Sequence, residues 1–110
     1  MSRPVEIGEL RRRVTLEAPI DALDDAGSTT RSYAPLGDIW AQVTPMRGES
    51  RFEASRQESS ITHIVRIRWR DDVTSEMRFA LGSRRLLIRA VFDPNERKAF
   101  LTCHCEEIKP

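Results

Sequence analysis

Strict alternation of charged and apolar residues is the feature of this sequence that most constrains its fold. In the stretch HIVRIRWR every second residue is an arginine and the residues between are apolar. The apolar residues are Val65, Ile67 and Trp69, and the arginines are Arg66, Arg68 and Arg70. Successive side chains of a β-strand point to opposite faces, so this period of two predicts a strand. Helical periodicity is hard to find, and the chain is therefore expected to fold as β-sheet.

Six segments show such alternation and are bounded by turn residues. They are Arg12–Glu17, Asp38–Thr44, Thr62–Arg70, Glu76–Leu81, Arg84–Phe92 and Ala99–Glu107. Pro19 is expected to end the first strand, and the polar residues 21–32 are expected to form a loop or a wide hairpin tip. Gly82-Ser83 is typical of a two-residue hairpin with positive φ at glycine, and Asp93–Glu96 is typical of a type I turn.

Six or seven short strands joined by tight turns predict an all-β fold, a small antiparallel β-barrel or sandwich. The 110 residues suit one domain, residues 1–110. It is expected to contain one long inserted loop at 44–61, and the sequence is compatible with a short helix inside that loop. The residues predicted to point inward are Val14, Leu16, Ile39, Val43, Val65, Ile67, Trp69, Met77, Phe79, Leu86, Ile88, Phe92 and Leu101.

Charge and hydropathy limit the partners of the chain. The charged residues make up 32% of the sequence, but the formal net charge is only +1, so overall charge provides no strong attraction to nucleic acid or to an anionic membrane. No stretch approaches the ~20 apolar residues that span a bilayer, and the N-terminus lacks the apolar segment of a signal peptide. A cytoplasmic protein, or one carried in a particle assembled there, is expected.

Cys103-His104-Cys105 is the one constellation that suggests a metal. On a strand the two thiols would share a face about 7 Å apart, while His104 would point the other way. A structural zinc needs four convergent ligands, and His63 is the only other histidine. We therefore expect the two cysteines to be small residues on an inward face, in a reducing compartment, and we expect no metal and no cofactor.

Catalytic motifs are missing from the sequence. There is no Gly-x-Ser-x-Gly elbow, no Ser-x-x-Lys and no paired histidines of a metalloprotease, and the five glycines do not cluster as a phosphate cradle. The aspartates of the first loop do not follow the pattern of a calcium site, so they are expected to solubilise it; they are Asp21, Asp24 and Asp25. A hydrolase that uses Cys103 or His104 would lack an orienting partner set. The chain is not expected to be an enzyme.

Four blocks of sequence, which follow one another in a familiar order, cover most of the chain. They are IGELRRRVTLEAP (Ile7–Pro19), DIWAQVTPMRGES (Asp38–Ser50), THIVRIRWRDDVTSEMRF (Thr62–Phe79) and AVFDPNERKAFLTCHCEE (Ala90–Glu107). With these blocks the chain resembles the head–tail joining proteins of long-tailed bacteriophages, also called head-closure or stopper proteins, which gene transfer agents carry too. Leu86-Leu87 departs from the Val-Tyr type of strand start that is frequent in that family.

The resemblance implies a structural subunit of a particle. It implies a β-barrel that forms a ring of six or twelve copies between the portal or adaptor and the tail. Such a ring would retain packaged double-stranded DNA without sequence specificity and would offer the docking surface for the tail. It would be found at the head–tail interface of the virion, and in the host cytoplasm during assembly, with no membrane partner.

The arginines of the opening stretch have two interpretations. They could form a solvated strand face that pairs with acids on neighbouring strands, or they could meet phosphates or an acidic partner surface. In a ring, we expect Arg66, Arg68 and Arg70 to contact the next subunit or the adaptor, because a channel through which DNA slides should not grip phosphates tightly.

The polar segment Thr44–Ile61 is longer than a compact domain needs for a connection. The resemblance implies that it projects toward the ring axis and closes the channel. Its charges alternate in sign around one aromatic residue, and the residues expected to act there are Arg47, Glu49, Arg51, Phe52, Glu53, Arg56 and Glu58. The alternative is a surface loop packed through Phe52 against the next subunit.

A small β-barrel nucleic-acid-binding module is the alternative function. Such modules usually expose aromatic side chains on which bases stack. Trp69, Phe79 and Phe92 fall on the predicted inward faces, which counts against this alternative.

Overall fold

Six antiparallel strands make up the fold in the computed structural model, which describes residues 10–46 and 61–108. They are β1 (Arg12–Leu23), β2 (Thr29–Pro45), β3 (His63–Arg68), β4 (Arg78–Leu81), β5 (Arg84–Phe92) and β6 (Phe100–Ile108). In these two ranges no helix is long and apolar enough to cross a membrane. The predicted all-β fold is confirmed.

The strands close on themselves as a barrel in the order β1-β2-β3-β6-β5-β4. The seam between the first and last strands of that order is short, and it pairs Thr15 with Ala80, Leu16 with Phe79, and Glu17 with Arg78. Closure removes the unpaired strand edges that make an open sheet prone to edge-to-edge aggregation. Of the two predicted architectures, barrel and sandwich, the barrel is the observed one.

The core lies inside the barrel and follows the predicted alternation. Its fully buried side chains include Val14, Leu16, Val65, Ile67, Phe79, Leu86, Ile88, Cys103 and Cys105. The predicted inward residues Ile39, Val43, Trp69 and Met77 are partly buried and pack against this cluster. The prediction that the two cysteines point inward is confirmed.

Phe92 is the exception, and the prediction that it points inward is wrong. The register of β5 against β6 shifts at Arg89, which is an extra residue opposite β6 and therefore a β-bulge. Beyond a one-residue bulge the alternation changes face, so Val91 packs against the core and Phe92 is 45% exposed. On the outer surface the Phe92 ring lies 4.9 Å from that of His104, measured between centroids.

The first hairpin is much longer than predicted. Pro19 does not end β1, which continues to Leu23, and residues 21–32 are mostly strand rather than loop. Beyond Glu17, β1 pairs only with β2, so one of its edges has no strand partner among the described residues. A proline is tolerated at such an edge because its missing N–H removes no ladder hydrogen bond.

We call residues 18–34 the hairpin arm. Its pairing runs from Ala18 opposite Ala34 to Leu23 opposite Thr29, which at about 3.4 Å per residue gives an arm roughly 20 Å long. The register shifts at the base of the arm, where Gly37 has a φ of 147° that favours glycine. A bulge bends and twists a strand, so this irregularity sets the direction in which the arm leaves the barrel.

The other turns are close to those predicted. Gly82 has a φ of 60° in the two-residue turn between β4 and β5. The Glu96 N–H donates to the Asp93 carbonyl at 3.1 Å, as in a type I turn. β4 starts two residues later than predicted, at Arg78, because Glu76 has a φ of 80°, outside the β region.

Candidate interaction surfaces

The three arginines of the opening stretch have three different surroundings. Arg66 Nη1 donates to Gln42 Oε1 at 3.4 Å. Arg70 donates twice to the carboxylate of Asp72, through Nε and Nη2, both at 2.8 Å. Arg68 is exposed, and within the described part of the chain its side chain has no hydrogen-bond or ion-pair partner. The three arginines of the predicted row therefore differ in their partners. Arg68 is the one whose guanidinium is available for a contact with another molecule.

The Arg70–Asp72 pair is held locally rather than across strands. The hydrogen bonds from Arg70 lower the pKa of the Asp72 carboxyl, and the same bonds raise the pKa of Arg70. Bidentate geometry of this kind is the strongest form of an arginine–carboxylate contact. Arg70 therefore pairs within its own subunit with Asp72, two residues along the chain. The interpretation of a solvated strand face expected its partner on a neighbouring strand instead.

An apolar cleft opens beside Arg68 at the end of the barrel where β3 ends. It has a volume of about 280 Å³ and is lined by Ile39, Trp40, Ile67, Arg68 and Arg70. We call it the Trp40 cleft. Trp40 is 54% exposed, and the guanidinium carbon of Arg13 lies 5.8 Å from the centroid of its ring. The predicted inward positions of Ile39 and Val43 put Trp40 on the opposite face of β2, but the sequence assigned it no role; a tryptophan at an outward strand position was the available signal.

The tip of the hairpin arm, residues 20–31, is a second surface with exposed apolar side chains. Leu23 is 75% exposed and Ile20 is 48% exposed. Arg31 donates to both carboxylate oxygens of Asp21, at 2.7 and 3.0 Å, and these bonds lower the pKa of Asp21. Sequence reasoning treated this segment as a solubilising loop; two apolar residues three positions apart among polar ones were the signal it missed.

The turn at the end of the arm is organised by one aspartate. The Asp24 carboxylate accepts hydrogen bonds from the N–H groups of Ala26 and Ser28, each at 2.9 Å. Asp25 is exposed and has no hydrogen-bond or ion-pair partner within residues 10–46 and 61–108. Asp24 is thus used inside the turn, whereas Asp25 is exposed at the tip.

A polar joint connects the arm to the barrel. The guanidinium carbon of Arg78 lies 3.8 Å from the ring centroid of Tyr33, and Arg78 Nε donates to Glu17 Oε1 at 2.6 Å. Further along the arm, Arg31 Nη2 lies 3.9 Å from Glu76 Oε2. These contacts join β4 and the turn before it to the β2 strand of the arm and to Glu17 at the base of the arm on β1, and they restrict the orientation of the arm.

One buried polar side chain, His63, was not expected at a core position. Arg84 Nη2 lies 3.1 Å from His63 Nε2, and Thr62 Oγ1 lies 2.8 Å from His63 Nδ1. Arginine can only donate, so Nε2 accepts and the proton is assigned to Nδ1. Arg84 also donates to Glu107, at 2.8 and 3.2 Å. The histidine is satisfied by its neighbours, as buried polar groups usually are.

The cysteines do not have the character of nucleophiles. Burial raises the pKa of Cys103 to about 12, and burial also raises the pKa of Cys105. The reactive form of a cysteine is the thiolate, which this environment disfavours. Among the described residues no three His, Cys, Asp or Glu side chains come together as a group that could hold a metal ion.

The residues expected to close the channel lie outside the described residues. They are Arg47, Glu49, Arg51, Phe52, Glu53, Arg56 and Glu58. Their role stays a prediction from the sequence.

The fold places this chain among the small closed antiparallel β-barrels. Its residues 5–108 match the family model described as phage head completion protein, and the chain belongs to that family. The family predicted from the sequence blocks is confirmed, and so is a place in the virion. The family is a structural one.

Solved structures share the fold over nearly the whole chain. The solution structure of protein SF1141 from Shigella flexneri 2a has a TM-score of 0.68 at 23% identity, over 94% of this chain and 96% of that one. A chain from the virion of a native gene transfer agent particle has a TM-score of 0.64 at 24% identity, over 96% and 98% of the two chains. No curated protein matches the sequence significantly.

Proposed function

We propose that this protein is a head–tail connector subunit of the head-closure, or stopper, type. Copies of it form a ring of six or twelve between the portal or adaptor and the tail, retain the packaged DNA and offer the surface on which the tail docks. The observation that carries the proposal is the match to the head completion family over residues 5–108.

A closed barrel suits a ring subunit. Because the strands of the barrel are paired on both sides over their central part, strand addition between copies is confined to the open edges of the hairpin arm. Contacts between copies must then come from projecting side chains and from the hairpin arm, which allows a defined geometry. A rigid core behind these contacts lets the ring bear the load of a DNA-filled head.

Charge supports passage of DNA rather than tight binding. Several guanidinium groups are paired with carboxylates inside the subunit, namely those of Arg31, Arg70, Arg78, Arg84 and Arg89. With a formal net charge of +1, the subunit has almost no excess positive charge to attract phosphates. Contact with DNA in the channel would be weak and independent of sequence.

The alternative function, a nucleic-acid-binding module, is less well supported. The predicted inward position of Phe92 no longer counts against it. Phe92 is exposed, so it joins Trp40 as an outward aromatic residue. Trp40 lies on β2 and Phe92 on β5, and the strand order places β3 and β6 between them. The two rings therefore do not form the continuous stacking surface on which a single strand would lie.

Heads packaged without this protein test the proposal. They are expected to lose nuclease-protected DNA and to accept no tails, and added purified protein is expected to restore both. Heads that keep their DNA and accept tails without the protein would contradict it. Tight binding of a short duplex by the isolated protein, with a steep dependence on salt, would favour the module instead.

A further inference from the structure

We infer that the tip of the hairpin arm of one copy binds in the Trp40 cleft of the next copy. The occupant of the cleft is thus a second copy of this chain. The inference rests on the proposed ring and specifies which surfaces of the subunit form it.

The apolar parts of the two surfaces match in size. Leu23 and Ile20 are the exposed apolar side chains of the tip, and a side chain that is 75% exposed, as Leu23 is, has much apolar area to bury. The cleft measures about 280 Å³, just below the roughly 300–1,000 Å³ of small-molecule pockets, which suits one or two side chains. Trp40 forms its exposed wall, and tryptophan is among the residue types enriched at binding hot spots near the centre of protein interfaces.

The charges of the two surfaces are opposite. Between residues 20 and 31 the tip carries three aspartates and one arginine, and that arginine is already bound to Asp21. The cleft has two arginines in its lining, of which Arg68 has no partner within the described residues. Asp25 at the tip is likewise unpartnered there. An Asp25–Arg68 contact between copies would pair these two charges and add direction to an apolar contact.

The positions of the two surfaces are compatible with a ring. Arg13 pairs with Trp40 at the cleft, and Leu23 pairs with Thr29 at the tip. Ten residues of β1 separate these rungs, which at about 3.4 Å each places them roughly 34 Å apart. A contact between two different patches that the partner does not return is heterologous, and heterologous contacts generate closed rings when the rotation between copies allows it.

The joint at the base of the arm prepares it for this contact. Because Arg78 holds Tyr33 and Glu17, the tip is presented in a restricted direction before it meets the neighbour. Less conformational entropy is then lost on binding than with a free loop.

A charge exchange tests the contact in the assembled particle. We expect Arg68→Glu and Asp25→Arg each to weaken the contact between copies about ten-fold, which corresponds to ~1.4 kcal/mol per contact, and so to lower the number of copies per head. The double variant should restore most copies, because it re-forms the pair with reversed sign. Arg97→Glu, at another exposed arginine outside the cleft, is the matched control and should change little. Thermal unfolding of each variant shows whether it folds.

Thiol cross-linking in the particle provides a second readout. We expect Asp25→Cys with Arg68→Cys, treated with a short bifunctional thiol reagent, to yield covalent dimers and higher multimers. The matched pair Asp25→Cys with Arg97→Cys should yield none, and the native thiols are buried and should not react.

Two outcomes overturn the inference and leave the proposed function in place. One is a folded double charge variant that stays as defective as the single variants. The other is a cross-link from Asp25→Cys to a tail or adaptor protein and not to a second copy. The proposed function is tested separately, and it fails if heads that lack the protein entirely still retain DNA and accept tails.

Discussion

Arg78 lies across the face of Tyr33, with its guanidinium carbon 3.8 Å from the ring centroid. The two residues belong to β4 of the barrel and to the base of the hairpin arm on β2, so this stacked pair joins the two parts of the molecule. The same guanidinium donates to Glu17 on β1, which completes a contact among three strands.

We expect Arg78→Ala to lower the free energy of unfolding by about 1–3 kcal/mol. The variant loses a partly desolvated cation–π contact and the hydrogen bond to Glu17, whose carboxylate keeps only the more distant guanidinium of Arg85, 3.7 Å away. Urea unfolding measures the change, with Arg97→Ala as the exposed control that should stay within about 0.5 kcal/mol. Stability equal to that of the control would mean that the joint contributes nothing to the fold.

The bulge in β5 predicts opposite results for two phenylalanines. Phe79→Ala should cost about 3–5 kcal/mol, because Phe79 is fully buried and its removal leaves a cavity. Phe92→Ala should cost under about 1 kcal/mol, because Phe92 lies on the outer surface. Denaturant unfolding of both variants is the measurement. A severe loss at Phe92 would place its ring in the core and contradict the register shift at Arg89.

The buried thiols predict a dependence of stability on alkaline pH. Burial raises the pKa of Cys103 from 9.0 to about 12, so the folded state keeps a proton that the unfolded state releases. This contribution is complete below pH 9 and is lost as the pH rises from there through 12. We expect a shallower decline in the Cys103→Ala variant than in the original chain, measured by urea unfolding across that range. Identical declines would show that Cys103 does not titrate between the two states.

The same burial predicts that neither thiol reacts in the folded protein at pH 8. Labelling with a thiol reagent should occur only after unfolding in urea, where both Cys103 and Cys105 become accessible. Rapid labelling of the native protein would contradict the placement of these residues.

The segment around Phe52 is tested by shortening it. If it closes the channel, as the sequence predicts, replacement of Arg51–Ser59 by a Gly-Ser link should spare the ring and let packaged heads lose DNA before tails attach. The measurement is nuclease-protected DNA per head, with the unaltered protein as reference. Heads that keep their DNA as well as the reference would leave the closing role to another element.

Local pattern determined much of this protein without any structure. The period of two placed the apolar residues of five of the six strands on the correct face, because neighbouring positions on a strand necessarily point in opposite directions. Gly82 and Pro94 marked tight turns. Glycine permits a positive φ and proline fixes φ at about −65°, so each favours a turn whatever its neighbours are. The order of the four sequence blocks was sufficient for the family.

Tertiary structure decided what alternation cannot encode. That is which strands lie beside each other and in which register they pair. The extra residue at Arg89 has no signature in the sequence, yet it moves Phe92 from the core to the surface. A proline ends a strand only where its missing N–H would be needed for a ladder hydrogen bond. Pro19 lies beyond the pairing of β1 with β4, where the edge of the arm is open and no such bond is required.

The candidate surfaces have the same origin. The cleft draws Trp40 and Arg68 from different strands, and the joint brings Arg78 to Glu17 across 61 positions of chain. A strand's own residues specify which side chains share a face, but the strand beside it is chosen by closure of the whole barrel. The surfaces between strands therefore exist only once the barrel is closed.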